Sequence, residues 1–493
     1  MKVALIDCTN YIINYGLRVL AAYIYENGHD VKLTFLPPQV LDNSYNYPAS
    51  LYSDLNHLLK DVELVGISFV SNYLGQARYL TEYIKKNLGI PVAWGGVHAT
   101  GAPEESLNYA DMVCLGEGEE SLLALLNKME AGIDYTDTKN FWFKRGSKII
   151  KNGMFPLEGL DKYPFPLYDL EREFIREENN IVPMTYEKMK NLHSISNEYL
   201  GLSHELTYYL SLTSRGCPNS CTYCCNNLYK KLYKNNKNLL RRRSVPNIIG
   251  EFVNIMNKFP FINFFNIFDD DFCAAPKEFI LEFSKEYKKQ INFPFKCNVS
   301  PNSISPEKIQ ALVNAGLVSV EMGIQTASPR VNKEIYKRNI SNEKVLHAAE
   351  ILNKHTHIKT YYDFIFDNPL ETVEDKIMTA RFLAELPKPF GLSSFSLTLF
   401  PGTELHKEFK QKNMICDEIG QVYNKRNNKL YNKIDPYYKA IIRIALKLDH
   451  QNKLNTLLMN ILASRLAFYL FNRKYFFYLY NFIRSLANRD KVE

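Results

Sequence analysis

Short apolar runs alternate with segments of helical apolar spacing over the first third of the chain. The runs MKVALID, HDVKLTFL, VELVGISFV and IPVAWGG have the length of buried strands. Between them, YGLRVLAAYIYENG and LGQARYLTEYIKKNLG carry apolar residues at helical spacing and end at a glycine. This alternation predicts an open parallel sheet of the α/β class, in which ligands lie beyond the carboxyl ends of the strands.

Three loops follow strands of this predicted sheet and therefore share one edge of it. Two of them, GGVHAT and GEGE, contain glycines, which allow a backbone to approach a ligand closely. The candidate ligand contacts on this edge are Ser68, Ser71, Gly95, Gly96, His98, Gly116, Glu117, Gly118 and Glu119.

The alternation resumes at Tyr208 and continues through six strand–helix units, which predicts a partial (β/α)6 barrel whose reactive face is formed by the loops after the strands. Residues 136–205 are turn-rich and polar, and we interpret them as a linker or insertion. We therefore expect a Rossmann-like, flavodoxin-like domain over 1–135, the barrel over 206–405 and a helical region over 406–493.

Composition narrows the class of protein. Hydrophobic residues are 46% of the 493 residues, the net charge is +7, and no long basic run would follow a nucleic-acid backbone. The nine cysteines are an odd number with four crowded into one loop, which favours a reducing cytoplasm over a disulfide framework. We find no signal-peptide core and no run of the ~18 apolar residues that span a bilayer.

The crowded loop, SRGCPNSCTYCCNN, carries three cysteines in the spacing Cys217-x3-Cys221-x2-Cys224. A structural zinc site needs four ligands, and the adjacent Cys225 cannot easily aim its side chain at the same ion. Three thiolates can instead hold three irons of a [4Fe-4S] cube and leave the fourth iron open. Buried cysteines without a metal are the alternative.

This spacing, with Tyr223 before the last cysteine, resembles the signature of the radical S-adenosylmethionine (SAM) superfamily. The resemblance implies that the cluster binds SAM at its open iron and cleaves it reductively to methionine and a 5′-deoxyadenosyl radical. Candidate SAM contacts are Tyr223, Asp269, Asp270, Glu321 and Gln325. A helix cap or turn at the aspartates, and an ordinary strand end at Glu321 and Gln325, remain open.

The first domain resembles the cobalamin (B12)-binding domain that precedes the barrel in one branch of this superfamily. The resemblance runs through GISFVSN, GGVHAT, LGEGE and LDKYPFP, and it assigns the glycine-loop candidates to cobalamin. Because the D-x-H-x-x-G motif is absent, His98 is expected to be a loop contact and not a ligand of cobalt. A flavodoxin-like sheet that binds another cofactor, or none, is the alternative.

Together the two resemblances imply methylation of an unactivated carbon of a small-molecule or lipid-like substrate. The deoxyadenosyl radical would abstract a hydrogen, and the substrate radical would take a methyl group from methylcobalamin. A cobalamin-dependent oxidation, cyclisation or ring contraction is one alternative, and an iron–sulfur protein for electron transfer or sensing is another. Release of both S-adenosylhomocysteine and 5′-deoxyadenosine would distinguish methylation from either.

The family resemblance and the C-terminal segment each predict a partner. A radical SAM enzyme implies a flavodoxin- or ferredoxin-type electron donor. The C-terminal segment LAFYLFNRKYFFYLYNFIRSL mixes aromatic and basic residues, which suits either a helical cap on the barrel or contact with a membrane surface. We favour the cap, in a cytoplasmic protein.

Overall fold

The computed structural model describes residues 1–9, 13–37, 47–195, 206–235, 239–423, 436–437, 440–441, 444 and 453–471. Its contacts divide the chain into two compact units. Unit 1 takes the described residues of Met1–Pro218, Tyr223–Phe268 and Leu399–Lys425. Unit 2 takes those of Asn219–Thr222, Asp269–Thr398 and Arg426–Glu493.

The strands are, in chain order, β1 (Lys2–Asp7), β2 (Asp30–Phe35), β3 (Leu64–Ser68), β4 (Val92–Gly95), β5 (Met112–Cys114), β6 (Phe141–Arg145), β7 (Lys148–Lys151), β8 (Glu173–Glu177), β9 (Asn180–Pro183), β10 (Ser194–Ile195), β11 (Leu206–Ser211), β12 (Ser214–Arg215), β13 (Arg241–Arg242), β14 (Phe264–Ile267), β15 (Phe295–Val299), β16 (Leu317–Gln325), β17 (Lys359–Ile365) and β18 (Gly391–Phe395).

The α-helices are, in chain order, α1 (Tyr15–Glu26), α2 (Ala49–Leu58), α3 (Leu74–Leu88), α4 (Gly96–Gly101), α5 (Pro103–Ser106), α6 (Glu119–Glu130), α7 (Tyr186–His193), α8 (Cys225–Leu232), α9 (Val245–Lys258), α10 (Lys277–Gln290), α11 (Pro306–Ala315), α12 (Asn342–Asn353), α13 (Val373–Glu385), α14 (Glu404–Gln411), α15 (Lys453–Leu462) and α16 (Arg465–Phe471).

The main sheet of unit 1 has the strand order β7-β6-β5-β4-β3-β1-β2-β8-β9. Its centre, β2-β1-β3-β4-β5, is parallel and confirms the alternation predicted from the sequence. Five of the six residues of β1 are buried, as expected for a strand covered on both faces. The parallel direction brings the ends of β3, β4 and β5 to one edge.

The structure differs from the linker interpretation of residues 136–205. Two antiparallel hairpins in this stretch, β6–β7 and β8–β9, extend the N-terminal sheet at its two edges. These strands are short and polar, so they lack the apolar runs of the central strands. Glu173 of β8 is fully buried. Its charge is tolerated there because Arg18 pairs with both of its carboxylate oxygens, at 2.8 and 2.9 Å.

Unit 1 also contains the first two parallel strands of the predicted barrel, β11 and β14. A buried hydrogen-bond network connects them to the first helix of the chain. The carboxylate of Glu251 on α9 accepts hydrogen bonds from Tyr15 of α1 at 2.9 Å and from Tyr209 and Ser211 of β11 at 3.0 and 2.8 Å. Arg243 neutralises this carboxylate.

Unit 2 contains the remaining four predicted barrel strands, β15-β16-β17-β18, which pair in parallel in chain order. Helices α10 to α13 alternate with these strands along the chain, as the pattern predicts. From Val320 to Gln325, β16 alternates between buried apolar residues and residues that are only partly covered. Val320 and Met322 belong to the first kind, and Glu321 and Gly323 belong to the second.

Helices α15 and α16 belong to unit 2 and pack against α13. Ala463, between the two helices, and Ala467 of α16 are buried, and Arg381 of α13 donates a hydrogen bond to the carbonyl oxygen of Ala463 at 3.2 Å. The aromatic and basic residues from 472 onward lie outside the described residues. No helix in the described part of the chain has the length and apolar character needed to cross a bilayer.

Candidate functional site

The cysteine loop connects β12 to α8, and its backbone conformation depends on one glycine. Gly216, directly before Cys217, has φ +92°, and a Cβ there would overlap the carbonyl oxygen of Leu239. Cys224 is the N-cap of α8, where the helix dipole favours a thiolate. Cys217 and Cys224 are partly exposed, and Cys221 is buried.

The middle of this loop is fixed within unit 2. The backbone N–H of Thr222 donates to the carbonyl oxygen of Tyr336 at 3.1 Å, and its hydroxyl donates to that of Ile335 at 2.6 Å. These bonds hold the residue between Cys221 and Tyr223. Tyr223 is partly exposed, and Cys225 is the first residue of α8.

The chemistry of this donor set fits an iron–sulfur cluster. All nine cysteines lie in described segments, and none of them forms a disulfide bond. No three histidine, cysteine or acidic side chains among the described residues converge as ligands of a single metal ion. A cube is held differently from a single ion, because each thiolate binds a separate iron at a separate corner.

The cobalamin candidates on β3 and β4 form an edge with little side-chain cover. Gly96 has φ +87°, and a Cβ there would lie 3.0 Å from the carbonyl oxygen of Phe69 and 3.1 Å from the hydroxyl of Ser68. The two loops therefore pack backbone against backbone. Gly95 has no atom within 4 Å of the place where its Cβ would be, which leaves open space at the strand end. An open, glycine-lined edge suits a broad, flat ligand such as a corrin ring.

His98 lies behind this edge in an aromatic cluster. Its ring is fully buried and stacks on Phe69 with centroids 5.1 Å apart, and Tyr423 contacts it at 5.7 Å. Its Nδ1 lies 3.1 Å from the hydroxyl of Ser71, which is also fully buried, and burial lowers the pKa of His98 to about 4. Its Nε2 has no hydrogen-bond partner. Because protein covers the imidazole, only the backbone of His98 is available at the sheet edge.

The two glutamates of the GEGE loop point to arginines and not to open space. Glu117 pairs with Arg215 at 3.0 Å and with Arg241, and Glu119, 4% exposed, pairs with Arg215. Burial by itself would raise the pKa of Glu119, but the charge and hydrogen bond of Arg215 lower it below its ordinary value. The arginine pairs of both carboxylates therefore hold the loop.

The backbone of the same loop is capped by Tyr233, the residue that follows α8. Its hydroxyl oxygen accepts a hydrogen bond from the backbone N–H of Glu117 at 2.9 Å. A Cβ at Gly116, whose φ is +74°, would overlap this hydroxyl. The N–H of Gly116 donates to Thr100 at 3.0 Å, which connects the loop to α4.

The loop that contains α4 also contacts the turn FPGTEL. A Cβ at Gly101 would overlap the carbonyl oxygen of Pro401, and a Cβ at Gly402, φ +82°, would lie 2.7 Å from the carbonyl oxygen of Gly101. Nearby, a cavity of about 540 Å³ is lined by Glu105, His406 and other residues of unit 1.

The SAM candidate Glu321 lies on the polar face of the unit 2 sheet. It forms an ion pair with Lys296 of β15 at 2.9 Å. Asp363 of β17 is close to this pair, and burial, with the charge of Glu321 as a further cause, raises the pKa of Asp363 to about 7. One oxygen of Asp363, Oδ1, is buried and has no hydrogen-bond partner.

The SAM candidate Gln325 ends β16 in an uncommon backbone conformation. Its φ is +72°, and the pairing of β16 with β17 shifts register between Gly323 and Gln325. Arg338 holds this irregular end by donating to the carbonyl oxygens of Gly323 at 2.9 Å and Ile324 at 2.7 Å. Such a conformation in a non-glycine residue is frequent at functional sites.

The aspartates after β14 differ from one another. Asp269 is fully buried, and its carbonyl oxygen accepts a hydrogen bond from Asn298 at 3.2 Å, whereas Asp270 is exposed. Asp271 bonds to the hydroxyl of Ser303 at 2.6 Å and the N–H of Ser300 at 3.2 Å, as a turn-stabilising residue does.

The structure thus brings together candidates within each unit and adds residues that the motifs missed. In unit 1 these are Arg215, Arg241 and Tyr233. In unit 2 they are Lys296 and Asp363. A signal for the last two exists in the sequence, because both occupy polar positions in strands with period-two alternation. Tyr233 has no such signal, since a tyrosine after a helix is ordinary.

Two family models match the chain, the B12 binding domain over residues 1–126 and the radical SAM superfamily over residues 211–383. An uncharacterized methyltransferase of Pyrococcus horikoshii is 25% identical over 86% of this chain and 82% of its own length. Cytidylyl-2-hydroxyethylphosphonate methyltransferase of Streptomyces wedmorensis is 24% identical over 69% of this chain and 67% of its own length.

Solved structures share the fold. The radical SAM methyltransferase TsrM of Kitasatospora setae, with cobalamin and a [4Fe-4S] cluster bound, matches with a TM-score of 0.63 at 17% identity over 83% of this chain and 78% of TsrM. The cobalamin-dependent radical SAM enzyme OxsB, with aqua-cobalamin and SAM bound, matches with a TM-score of 0.68 at 14% identity over 99% of this chain and 75% of OxsB. The partial barrel after a Rossmann-like domain is therefore confirmed.

The chain belongs to the radical SAM superfamily, in the branch whose barrel follows a B12-binding domain, and it is a methyltransferase-like radical SAM enzyme whose cofactors are a [4Fe-4S] cluster, SAM and cobalamin.

Proposed function

We propose that this enzyme transfers a methyl group to an unactivated carbon of a small-molecule substrate. When bound, the cluster supplies the electron that cleaves SAM to methionine and a 5′-deoxyadenosyl radical, and cobalamin supplies the methyl group. The observation that carries this proposal is the occurrence of both family domains in one chain whose curated relatives are named methyltransferases. Only the second of these relatives is named for a substrate, and that name concerns the second relative alone.

Cys217, Cys221 and Cys224 would hold the cluster. Their spacing, and the helix N-terminus beside Cys224, favour three thiolates. Tyr223 lies between two of these ligands and would lie against the cluster or SAM. Cys225, the first residue of α8, is not assigned a ligand role.

In unit 2, Glu321 and Gln325 would contact SAM or the substrate from the polar face of β16. Lys296 would orient Glu321 through their ion pair. Asp270, which is exposed, is the better candidate for a side-chain contact after β14, and Asp269 would act through its backbone. A polar face of this kind can orient a charged cosubstrate and exclude water from a radical step.

In unit 1, Ser68, Gly95, Gly96 and the Gly116–Gly118 loop would contact cobalamin. The buried position of His98 supports cobalamin without a protein histidine on cobalt. Glu117 and Glu119 would support the loop through their arginine pairs.

The test is anaerobic reconstitution with iron, sulfide and hydroxocobalamin, followed by reduction in the presence of SAM, so that the reduced cobalt can accept a methyl group from SAM. We expect both 5′-deoxyadenosine and S-adenosylhomocysteine. Cys221→Ala should lose the cluster absorption and 5′-deoxyadenosine together. The matched control is Cys416→Ala, which removes an exposed cysteine outside the loop and should keep both.

Each alternative predicts a different product pattern. Formation of 5′-deoxyadenosine without S-adenosylhomocysteine would favour a cobalamin-dependent oxidation, cyclisation or ring contraction. Absence of both products from a fully reconstituted cluster would favour electron transfer or sensing. A flavodoxin or ferredoxin as electron donor also remains a proposal, tested by replacing the chemical reductant with the reduced protein.

A further inference from the structure

The segments on both sides of the cysteine loop contact the GEGE loop of the B12-binding domain. Arg215 lies two residues before Cys217, and Tyr233 lies nine residues after Cys224. Arg215 binds the side chains of Glu117 and Glu119, whereas Tyr233 binds the backbone N–H of Glu117. All of these contacts lie within unit 1.

The positions of Arg215 and Arg241 depend on their contact with Glu117. Arg215 of β12 and Arg241 of β13 are direct register partners, so two guanidinium groups emerge side by side. Like charges opposite one another destabilise a strand pair unless an anion lies between them. Glu117 pairs with both arginines and supplies that anion. A movement of Glu117 would therefore disturb the strand that leads into Cys217.

Tyr233 is held against the GEGE loop by close packing. Gly116 has no room for a Cβ because the Tyr233 hydroxyl occupies the space, and Asn140 donates to the carbonyl oxygen of Glu117 at 2.9 Å. The preceding turn of α8 is tied to the same region, since Tyr229 hydrogen-bonds to Thr100, whose hydroxyl also receives the N–H of Gly116. The loop cannot shift without moving the helix that begins at Cys225.

We propose that Glu117, Arg215 and Tyr233 are positioning residues that couple occupation of the cobalamin loop to the stability of the cluster loop. This inference rests on the proposed function of both loops. Because such coupling is a free energy shared by two sites, the cluster must strengthen cobalamin binding by the same factor by which cobalamin stabilises the cluster.

The test uses the full-length protein with and without its cluster. Hydroxocobalamin affinity is measured by absorption in both forms, and iron loss from the cluster to a chelator is timed with and without saturating hydroxocobalamin. In the wild type we expect affinity to rise about tenfold when the cluster is present, within the usual range of coupling between sites. Iron loss should slow when hydroxocobalamin is bound.

Tyr233→Phe and Arg215→Gln should each reduce the affinity ratio to less than about threefold and remove most of the protection against iron loss. Tyr287→Phe and Arg330→Gln are matched controls. The first removes a hydroxyl that donates to the Phe293 carbonyl oxygen at 3.1 Å, and the second breaks an ion pair with Asp375; both lie in unit 2 and should keep the wild-type ratio.

The outcomes separate this inference from the proposed function. Weaker cobalamin binding with an unchanged ratio in the variants would mean a purely structural role and would overturn the coupling. A wild-type ratio of one would overturn it as well, while leaving the proposed function intact. Failure of the wild type to bind cobalamin at all would contradict the proposed function itself. If Arg215→Gln does not fold, Arg215→Lys takes its place. Arg215→Lys and Tyr233→Phe, as separate variants, are then compared by the same affinity ratio and iron loss.

Discussion

Asp363, on β17 of the unit 2 sheet, has a carboxyl group whose buried surroundings favour its protonated form. Burial raises its pKa to about 7, and its Oδ1 atom has no partner. A carboxyl group in this state can donate a hydrogen bond at neutral pH, or it can accept one from a cationic ligand after losing its proton. It is therefore a candidate contact for a polar group of SAM or substrate, next to the Lys296–Glu321 pair.

This raised pKa predicts a pH dependence of stability. The native state holds the proton more tightly than the unfolded chain, so the free energy of unfolding falls as pH rises from about 4 to about 7. Asp363→Asn removes this loss and should stabilise the cofactor-free protein by about 2 kcal/mol more at pH 8 than at pH 5. Thermal unfolding at the two pH values measures it. Glu282→Gln, at an exposed helix position, should show no such difference, and equal effects for both variants would refute the assignment.

Gly95 allows a test of the cobalamin edge that does not disturb the fold. Its φ of −138° and ψ of −176° suit any residue, and no atom lies near the added methyl group. Gly95→Ala should therefore keep the melting temperature and weaken hydroxocobalamin binding at least about tenfold, because the methyl group occupies space meant for the ligand.

The control for this change is Gly159→Ala, which also has open space and an ordinary φ of −63°. It should alter neither quantity. Unchanged cobalamin affinity in Gly95→Ala would place the corrin elsewhere.

At the scale of single residues, the sequence indicates which residues have reactive or ligating side chains better than it indicates which side chains contact one another. The spacing of Cys217, Cys221 and Cys224 by itself resembles the family signature. The sequence predicts that Glu117 and Glu119 contact cobalamin, and it gives no sign that their carboxylates pair with arginines distant in sequence. No local pattern contains that information, because the partners come from different elements.

At the scale of elements, the helices α15 and α16 have two distinct faces. Ala463 and Ala467 are buried on the side of α13, while Ile461 and Leu466 are 60% and 70% exposed. The buried side supports the cap interpretation. The exposed side is the surface that the alternative interpretation, contact with a membrane, would require.

We expect the wild-type protein to remain in the supernatant when it is centrifuged with anionic phospholipid vesicles. Leu466→Glu should leave the melting temperature nearly unchanged because the side chain is exposed, whereas Ala463→Phe should lower it by overpacking the contact with α13. Sedimentation of the wild type with vesicles, abolished by Leu466→Glu, would support a membrane-binding face.

The elements that could be predicted are those with a regular apolar period. The central strands of unit 1 and the barrel strands fall in this group. The hairpins β6–β7 and β8–β9 do not, because edge strands bury only part of their side chains and carry charged residues such as Arg145 and Glu177.

At the scale of the molecule, neither compact unit is a continuous stretch of sequence. Unit 1 unites the B12-binding domain with β11, β14 and the FPGTEL turn, although these lie after residue 205 in sequence. The Glu251 network is one reason, since it joins Tyr15 of the first helix to Arg243 and Tyr209. The sequence could not reveal it, because a buried charge is recognisable only with its partners.

This network predicts a large effect from one substitution. Glu251→Leu would leave the Arg243 guanidinium buried without its anion and should lower the free energy of unfolding by about 3–5 kcal/mol. Denaturant unfolding of the cofactor-free protein measures the change. Glu282→Leu, at an exposed position of α10, is the matched control and should change stability by less than about 0.5 kcal/mol.

The contact between Gly101 and Gly402 constrains how this protein can change during evolution or design. Because the two backbones touch and a side chain at either position would collide with the other segment, the loops can be altered only as a pair. We expect chimeras to misfold at this contact when the segment with Gly101 comes from one parent protein and the segment with Gly402 comes from another. Exchanges that transfer residues 96–105 together with 399–405 should be tolerated.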